Sequence, residues 1–467
     1  MTNDTLNVQP RFIPPLMPDF RPAALFDRAF RAEAEATGGP PLLIGLEGAN
    51  GVLFRYESRL LPPDHPHAEA NLAYAERLFK FLLWQRGGWR AYVGGPPEVS
   101  EALKRRYAPG GDHAFDAHFM GEVVHGRPFE VIPCRVEEVP PEREERLALG
   151  GHLEGCRIGF DLGASDIKVA AVEEGEVRFS REIVWEPTVQ RDPAYHESRI
   201  QAALEEAAAH LPRVDAIGGS AAGIYLDNQT RVASLFRSVP PERYEAVRTL
   251  FLRLRERWGV PLVVVNDGEV AALAGAMSLG VRGILGIALG SSEAAGYVDA
   301  DGALRGWLDE LAFAPVDYAP GAPVDEWSGD RGCGAAYFSQ QCVFRLAPRV
   351  GLEPCGETKA ARLKSIQRHL EAGEAGARWI WESIGVALGY AIAHYADFYP
   401  GLRHVLLMGR VTSGSGGPIL IEQAERVLRG EFPALAARIQ LHLPDERSRR
   451  VGQAVAAASL PRIEKEG

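Results

Sequence analysis

The 467-residue sequence predicts an α/β fold in two consecutive parts, an N-terminal α/β unit and a longer C-terminal α/β region. Short apolar runs alternate with stretches of helical spacing along nearly the whole chain. A charged, proline-containing stretch, Arg135 to Arg146, separates two such series and reads as a linker. In the second series, apolar runs end repeatedly in turns of small residues, the place where α/β sheets bind ligands.

Composition narrows the class. Hydrophobic residues make up 46% and charged residues 24%, which excludes a mostly disordered chain. Lys plus Arg number 51 and Asp plus Glu 62, a net charge of −11 that argues against coating nucleic acid or an anionic membrane. Cys134, Cys156, Cys333, Cys342 and Cys355 include no Cys-x-x-Cys pair, so a disulfide framework and a four-cysteine zinc site are not expected. Met1 to Phe30 holds Asp4, Asp19 and several prolines without a compact apolar core, unlike a signal peptide. Trp379 to Tyr399, the most apolar long stretch, contains Glu382, His394 and Asp397 and is not a membrane span. The expected compartment is reducing and cytoplasmic.

Residues 1–40, rich in Pro and Arg, read as an arm wrapped over another surface. Leu42 to Leu46 and Val52 to Tyr56 read as paired strands around Glu47-Gly48-Ala49-Asn50-Gly51, whose Asn-Gly step signals a turn. Ala68 to Gln85 has helical spacing, Trp89 to Val93 reads as a strand, and Pro97 opens a helix to Tyr107. This predicts an α/β unit over residues 1–150 and no three-helix DNA-binding head. In the second region the predicted strands are Arg157–Asp161, Val169–Val172, Ala216–Gly219, Leu262–Val265, Ile284–Leu289, Ala295–Asp299 and Val405–Met408. The predicted helices are Glu197–Ala209, Glu242–Trp258, Gly268–Met277 and Ala377–Phe398. Ile44 to Ala49 echoes Ile158 to Ala164, but short runs of small residues recur often by chance.

The first chemical segment is Gly159-Phe160-Asp161-Leu162-Gly163-Ala164-Ser165-Asp166-Ile167-Lys168, a strand ending in an acid and a tight hairpin. Small residues let backbone N–H groups approach phosphate oxygens, and Asp161 could hold a hydrated magnesium ion; a plain hairpin is the competing reading. The second is Val263-Val264-Val265-Asn266-Asp267-Gly268-Glu269, where Asp267 stands at a strand-to-helix junction either as a helix cap or as a general base. The third, Leu289-Gly290-Ser291-Ser292-Glu293, and the fourth, Met408-Gly409-Arg410-Val411-Thr412-Ser413-Gly414, are small-residue turns after strands.

In this order the segments resemble the superfamily of sugar kinases, heat-shock chaperone ATPases and actin. Within it they are similar to the ROK (repressor, open reading frame, kinase) family, over about residues 157–460. The resemblance implies a two-lobed actin-like ATPase (ribonuclease H-like) fold with an additional N-terminal α/β domain. The smaller lobe would span 156–264 plus 446–467 and the larger 265–445. It further implies ATP phosphates on Asp161, Gly163, Ala164, Ser165 and Lys168, with Asp161 orienting Mg2+ through water. Gly290, Ser291 and Ser292 would hold phosphate, and Gly409, Arg410 and Thr412 the adenosine. Asp267 would be the catalytic base, with Asn266, Glu310, Gly219 and Ser220 on the sugar side. A homodimer is implied as well.

Some family landmarks are altered. A Gly-Glu-x-Gly-His segment and a Cys-x-Cys-Gly-x-x-Gly-Cys zinc loop have become Asp309-Glu310-Leu311-Ala312-Phe313 and Glu326-Trp327-Ser328-Gly329-Asp330-Arg331-Gly332-Cys333. One thiolate with a carboxylate and a serine is a poor tetrahedral site, so no structural zinc is expected. Apolar packing by Phe313 and Trp327 is expected in its place. The stretch Ser234 to Pro240 lies where the family carries a sugar-binding Asn, so that ligand is lost or is replaced by Arg237, which would suit an anionic sugar; a plain surface loop is the competing reading. Glu293 and Asp166 are expected to oppose triphosphate charge unless magnesium or Lys168 intervenes. His113, Asp116 and His118, and likewise Asp64, His65 and His67, read as surface or capping groups before metal ligands. The sequence therefore predicts an ATP-dependent hexose-type kinase acting on a small sugar, without DNA or membrane partners. A sugar- or nucleotide-sensing protein without transfer activity is the alternative. An iron–sulfur ATPase activator of the same superfamily is disfavoured by the spacing of Cys333 and Cys342.

Overall fold

A computed structural model of the chain describes residue 6 and residues 8–143, 149–444 and 448–463. The end of the charged linker (144–146) and residues 446–447 and 464–467 of the expected smaller lobe lie outside the described residues. So do residues 1–5 and 7 of the expected arm.

The N-terminal arm crosses the far end of the chain. Arg11 N–H donates to Glu431 Oε1 at 2.6 Å and Leu16 N–H to Ser383 Oγ at 2.9 Å. It then enters a helix the sequence reading missed, α1 (Ala23–Ala36). The guanidinium of Arg28 ties α1 to Asp397 at 2.7 Å, and Arg31 pairs with the same carboxylate.

The N-terminal sheet follows, with β1 (Pro41–Glu47) antiparallel to β2 (Leu53–Arg59) through the expected turn. There Asn50 takes a positive φ of 54°, a conformation Asn tolerates. Helix α2 (Ala70–Arg86) leads to β3 (Arg90–Gly94), then α3 (Pro97–Arg106) and β4 (Glu130–Cys134), in the order β2-β1-β3-β4. The buried face of α2 is nearly all apolar or aromatic from Tyr74 to Trp84, apart from Glu76 and Lys80. Its side chains join one continuous apolar core with Leu285, Tyr337 and Tyr395 of the C-terminal region.

In the C-terminal region the first sheet contains β5 (Cys156–Leu162), β6 (Asp166–Glu173), β7 (Glu176–Val184) and β8 (Ala216–Ala221). A small hairpin, β9 (Ile224–Leu226) and β10 (Gln229–Val232), precedes β11 (Leu262–Asn266), giving the order β11-β8-β5-β6-β7. Strands β5, β8 and β11 are parallel; β6 and β7 are antiparallel additions. The second sheet holds β12 (Ile284–Leu289), β13 (Glu293–Val298), β14 (His404–Met408) and β15 (Gln440–His442), in the order β13-β12-β14-β15. Helices Asp267–Leu279 and Ala375–Tyr395 match the expected pair closely. The helix expected over Glu242–Trp258 is broken at Thr249, whose hydroxyl bonds back to the Glu245 carbonyl at 2.9 Å.

The helix Ser448–Ala458 returns to lie on β5 and β8. Gly159 and Gly218 make this approach possible, since a Cβ at either would overlap a carbonyl oxygen of Ala454 or Ala457. Helix Asp267–Leu279 packs on its other side, so this layer joins the two sheets. Gly218→Ala is therefore expected to lower stability by about 1–3 kcal/mol or more in urea unfolding. Gly321→Ala, where nothing lies within 4 Å of a new Cβ, is expected to leave it unchanged.

Candidate active site

Strand β5 runs through the core to Asp161, and the register sets that acid beside Ser220 of β8 and opposite Lys168 of β6. Ser220 is fully buried and donates its hydroxyl to Asp161 Oδ1 at 2.6 Å. Lys168 Nζ lies 3.4 Å from Asp161 Oδ2 and 3.4 Å from Asp166 Oδ1. Burial opposes its charge, but Asp161 and then Asp166 hold its pKa above the ordinary value. The hairpin closes by Gly163 N–H to the Asp166 carbonyl at 2.9 Å, leaving Ala164 and Ser165 exposed at the tip. The Ser165 hydroxyl donates to Asp166 Oδ2 at 2.8 Å. Asp166 thus has Lys168 and the Ser165 hydroxyl as partners within the hairpin.

Strand β11 ends at Asn266, the N-cap of helix Asp267–Leu279. Its carbonyl oxygen accepts Gly268 N–H at 2.7 Å, its amide donates to the Gly223 carbonyl at 2.7 Å, and Glu269 accepts Asn266 N–H at 3.4 Å. Asn266 and Glu269 form the capping box, and the Asp267 carboxylate takes backbone N–H groups of the same first turn, those of Gly268 and Asp267. Burial, with the charge of Asp161 next, pushes Asp267 up to about 6.

A third acid comes from an irregular turn. Glu310 is pushed up to about 7 by burial, then by Asp267 and Asp309. Asp309, with φ 49°, is pushed up to about 7 by burial while the Tyr399 hydroxyl donates to it at 2.7 Å. Burial and then Asp309 raise Glu269 to about 8. Asp161 thus acts on Asp267, and Asp267 on Glu310, which places the three acids in one electrostatic neighbourhood. The sequence reading missed Asp309 and Glu269 as members, although Glu269 stood at capping-box spacing from Asn266.

The third and fourth segments meet at the ends of β12 and β14. Gly409 has φ 91°, and a Cβ there would sit 2.5 Å from the Leu289 carbonyl oxygen. The Gly290 turn closes by Gly290 N–H to the Ser292 carbonyl at 3.0 Å, with Ser291 and Ser292 exposed. Arg410 is exposed, while Thr412 is buried and spends its hydroxyl on the Gly409 carbonyl at 2.8 Å. Glu293 does not face outward as expected. It is 3% exposed, accepts the Tyr395 hydroxyl at 3.4 Å, and is pushed up to about 8 by burial. Among the other expected site residues, Gly219 is buried with its Cβ direction filled by the Phe160 ring. Arg237 is exposed, and among the described residues no hydrogen bond or ion pair joins it to the acid cluster.

The residues at the zinc-loop position do not fit that metal. Phe313 stacks on Trp84 at 4.2 Å, Glu326 is exposed, and the Ser328 hydroxyl donates to Asp325 at 2.8 Å. Cys333 is buried and its thiol is pushed up to about 12 by burial, with Lys80 opposing. Trp327 is 68% exposed, so the expected packing role falls to Phe313 alone. His113 and Asp116, expected as surface or capping groups, are buried: Asp116 pairs with Lys80 at 2.9 Å, and His113 Nε2 lies 3.0 Å from Glu76. Magnesium is a different case, because it needs only one or two carboxylates beside substrate phosphates, and Asp161 supplies a hard oxygen donor.

No protein-family model and no curated protein matches the chain. Solved structures do. The ROK hexokinase from Thermus thermophilus is 19% identical, with a TM-score of 0.50, covering 65% of this chain and 97% of its own. A ROK family glucokinase from Streptomyces griseus, in complex with glucose and AMPPNP, is 21% identical, covering 65% of this chain and 98% of its own, with a TM-score of 0.46. A ROK family transcriptional regulator, a homolog of the E. coli MLC protein, is 21% identical over 72% of this chain and 82% of its own, with a TM-score of 0.48. The likeness to the hexokinase shows the fold, the two-lobed actin-like architecture of ROK kinases, with the N-terminal α/β unit added to it.

Glu293 offers a direct check on the buried acids. Its ordinary value is 4.5 and its folded value about 8, so its stabilising protonation is complete below 4.5 and lost as pH rises through 8. Glu293→Gln removes that dependence. Its melting temperature is expected to gain on the wild type more at pH 8 than at pH 5, by about 1.4 kcal/mol per pH unit in unfolding free energy. Parallel curves would contradict the burial of an acid there.

Proposed function

We propose that the chain is an ATP-dependent kinase of a hexose or hexose derivative on the ROK plan. The observation that carries this reading is Asp267, which stands at the strand-to-helix junction and is raised to about 6 by burial and Asp161, with Glu310 beside it. A base with a pKa near the working pH combines an ionised resting form with useful proton affinity. A sugar hydroxyl attacks the γ-phosphorus, the bond to the ADP oxygen breaks, and the hydroxyl proton passes to Asp267. At the tips of the hairpin and the turn, the exposed Ala164 and Ser165 and the exposed Ser291 and Ser292 offer backbone N–H groups to the phosphates, while Gly163 and Gly290 close the two turns. Lys168 supplies a cation there.

Asp161 would hold hydrated magnesium, which when bound neutralises phosphate charge. Ser220 orients Asp161 and does not itself reach substrate in this reading. Glu310 and the remaining amide N–H of Asn266 bind sugar hydroxyls, and Gly409 and Arg410 flank the adenosine. The sensing alternative rests on the altered zinc loop, the altered sugar ligand and the acids Asp166 and Glu293. Of these, Glu293 is buried and raised to about 8, so it adds no charge beside a nucleotide at neutral pH.

The test is ADP release from MgATP across neutral, amino and acidic sugars. Sugar-dependent turnover is expected, with Asp267→Asn lowering kcat by about 10²–10⁴ at unchanged fold. Because Asp267 must be ionised, kcat/KM is expected to fall as pH drops through about 6. Wild-type levels of turnover in Asp267→Asn would exclude the assignment.

A further inference from the structure

The turn that carries Glu310 closes on itself by Leu311 N–H to the Asp309 carbonyl at 2.9 Å and Phe313 N–H to the Glu310 carbonyl at 3.2 Å, and it is anchored to α2 as well. Its two leading N–H groups donate out of the turn, Asp309 to the Gln85 carbonyl at 3.0 Å and Glu310 to the Trp84 carbonyl at 3.0 Å. Those carbonyls belong to the last turn of α2, where a helix has acceptors to spare. Three residues beyond Glu310, Phe313 stacks on the Trp84 indole at 4.2 Å. The C-terminal end of α2 thus holds the acid-bearing turn through both backbone and ring.

The end of α2 is itself pinned by charge. Lys80, one turn before Trp84, is completely buried, with Nζ 2.9 Å from Asp116 Oδ2 and 2.9 Å from Asp330 Oδ2. The Trp84 indole N–H donates to the other oxygen of Asp116 at 3.2 Å. Arg77, on the same helix, donates to both oxygens of Asp330 at 2.8 and 3.2 Å. Cys333 Sγ lies 4.0 Å from Asp330. The ammonium therefore sits in the very segment, Glu326 to Cys333, whose residues do not fit zinc. Burying an ammonium between two carboxylates is costly unless all three are paired, so the geometry is strongly specified.

We propose that Lys80 is a positioning residue for Glu310: its buried ion pairs to Asp116 and Asp330 fix the end of α2, which in turn holds the Asp309-Glu310 turn in place. The N-terminal unit supplies by an ion cluster the bracing that a bound metal cannot supply here. Only the kinetic consequence of this inference rests on the kinase reading above.

The experiment is hydrogen–deuterium exchange on the full chain, wild type against Lys80→Met. The amides of Asp309 and Glu310 are expected to exchange about tenfold faster or more, with those of β8 and β11 unchanged. If Lys80→Met does not fold, Lys80→Gln, which keeps an N–H donor toward the two carboxylates without the charge, takes its place with the same expectation. Wild-type protection of residues 309 and 310 in the folded variant would overturn the proposal. An equal acceleration across β8 and β11 would overturn it too, because it would make Lys80 a general stabiliser. With the sugar that the wild type turns over fastest, the variant is expected to raise the sugar KM about tenfold and leave the KM for MgATP within about twofold. A wild type that phosphorylates no sugar would remove the kinase reading while the exchange result still decides the role of Lys80.

Discussion

Burying carboxylates is the constraint on which this structure turns. An ionised acid removed from water is costly unless a cation or hydrogen bonds replace its hydration, and otherwise it keeps its proton. The chain uses both solutions within one body. Lys168 and Ser220 compensate Asp161, and Lys80 and Arg77 compensate Asp330, whose pKa is held below the ordinary range chiefly by Lys80, then Arg77, against burial. Glu293, Glu269, Asp309 and Glu310 are instead pushed up by burial toward or past neutrality. Asp267 lies between these regimes, and that intermediate position suits a proton acceptor.

The N-terminal unit belongs to this arrangement. Its core is continuous with that of the second C-terminal sheet, and its Gln85 amide donates to the Phe398 carbonyl at 2.9 Å. Arg86 lies over the Trp307 ring at 3.3 Å from its centroid, two residues before Asp309. The arm and α1 grip the long helix Ala375–Tyr395 and its C-terminal extension from the other side. The surroundings of the second C-terminal sheet are thereby built in part from residues of the N-terminal unit.

Much of this was legible in the residues. The parallel strands β5, β8 and β11 were visible as apolar runs, because strands buried on both faces leave little room for polar side chains. Asp161 and Asp267 were visible because each ends such a run. By contrast β7, largely exposed from Glu176 to Val184, was missed because Arg181 interrupts the alternation of Val177, Phe179 and Ile183 and leaves it weak. Glu293 was misplaced because a turn sequence does not reveal which way its last residue faces. Lys80 could not have been found, since a lysine on an otherwise apolar helix face names no partner. Asp116 and Asp330 lie 36 and 250 residues further along the chain. Helix α1 was hidden by the arginines that grip Asp397 on the partly buried side of that helix.

The most direct measurement is a crystal structure of the chain with magnesium and a non-hydrolysable ATP analogue. The account predicts the triphosphate along residues 163–168 and 290–292, the metal beside Asp161, the adenosine at 409–412, and Asp267 and Glu310 facing the γ-phosphate. Nucleotide bound elsewhere, or phosphates that leave Lys168 bridging Asp161 and Asp166 with Asp267 turned away, would contradict it.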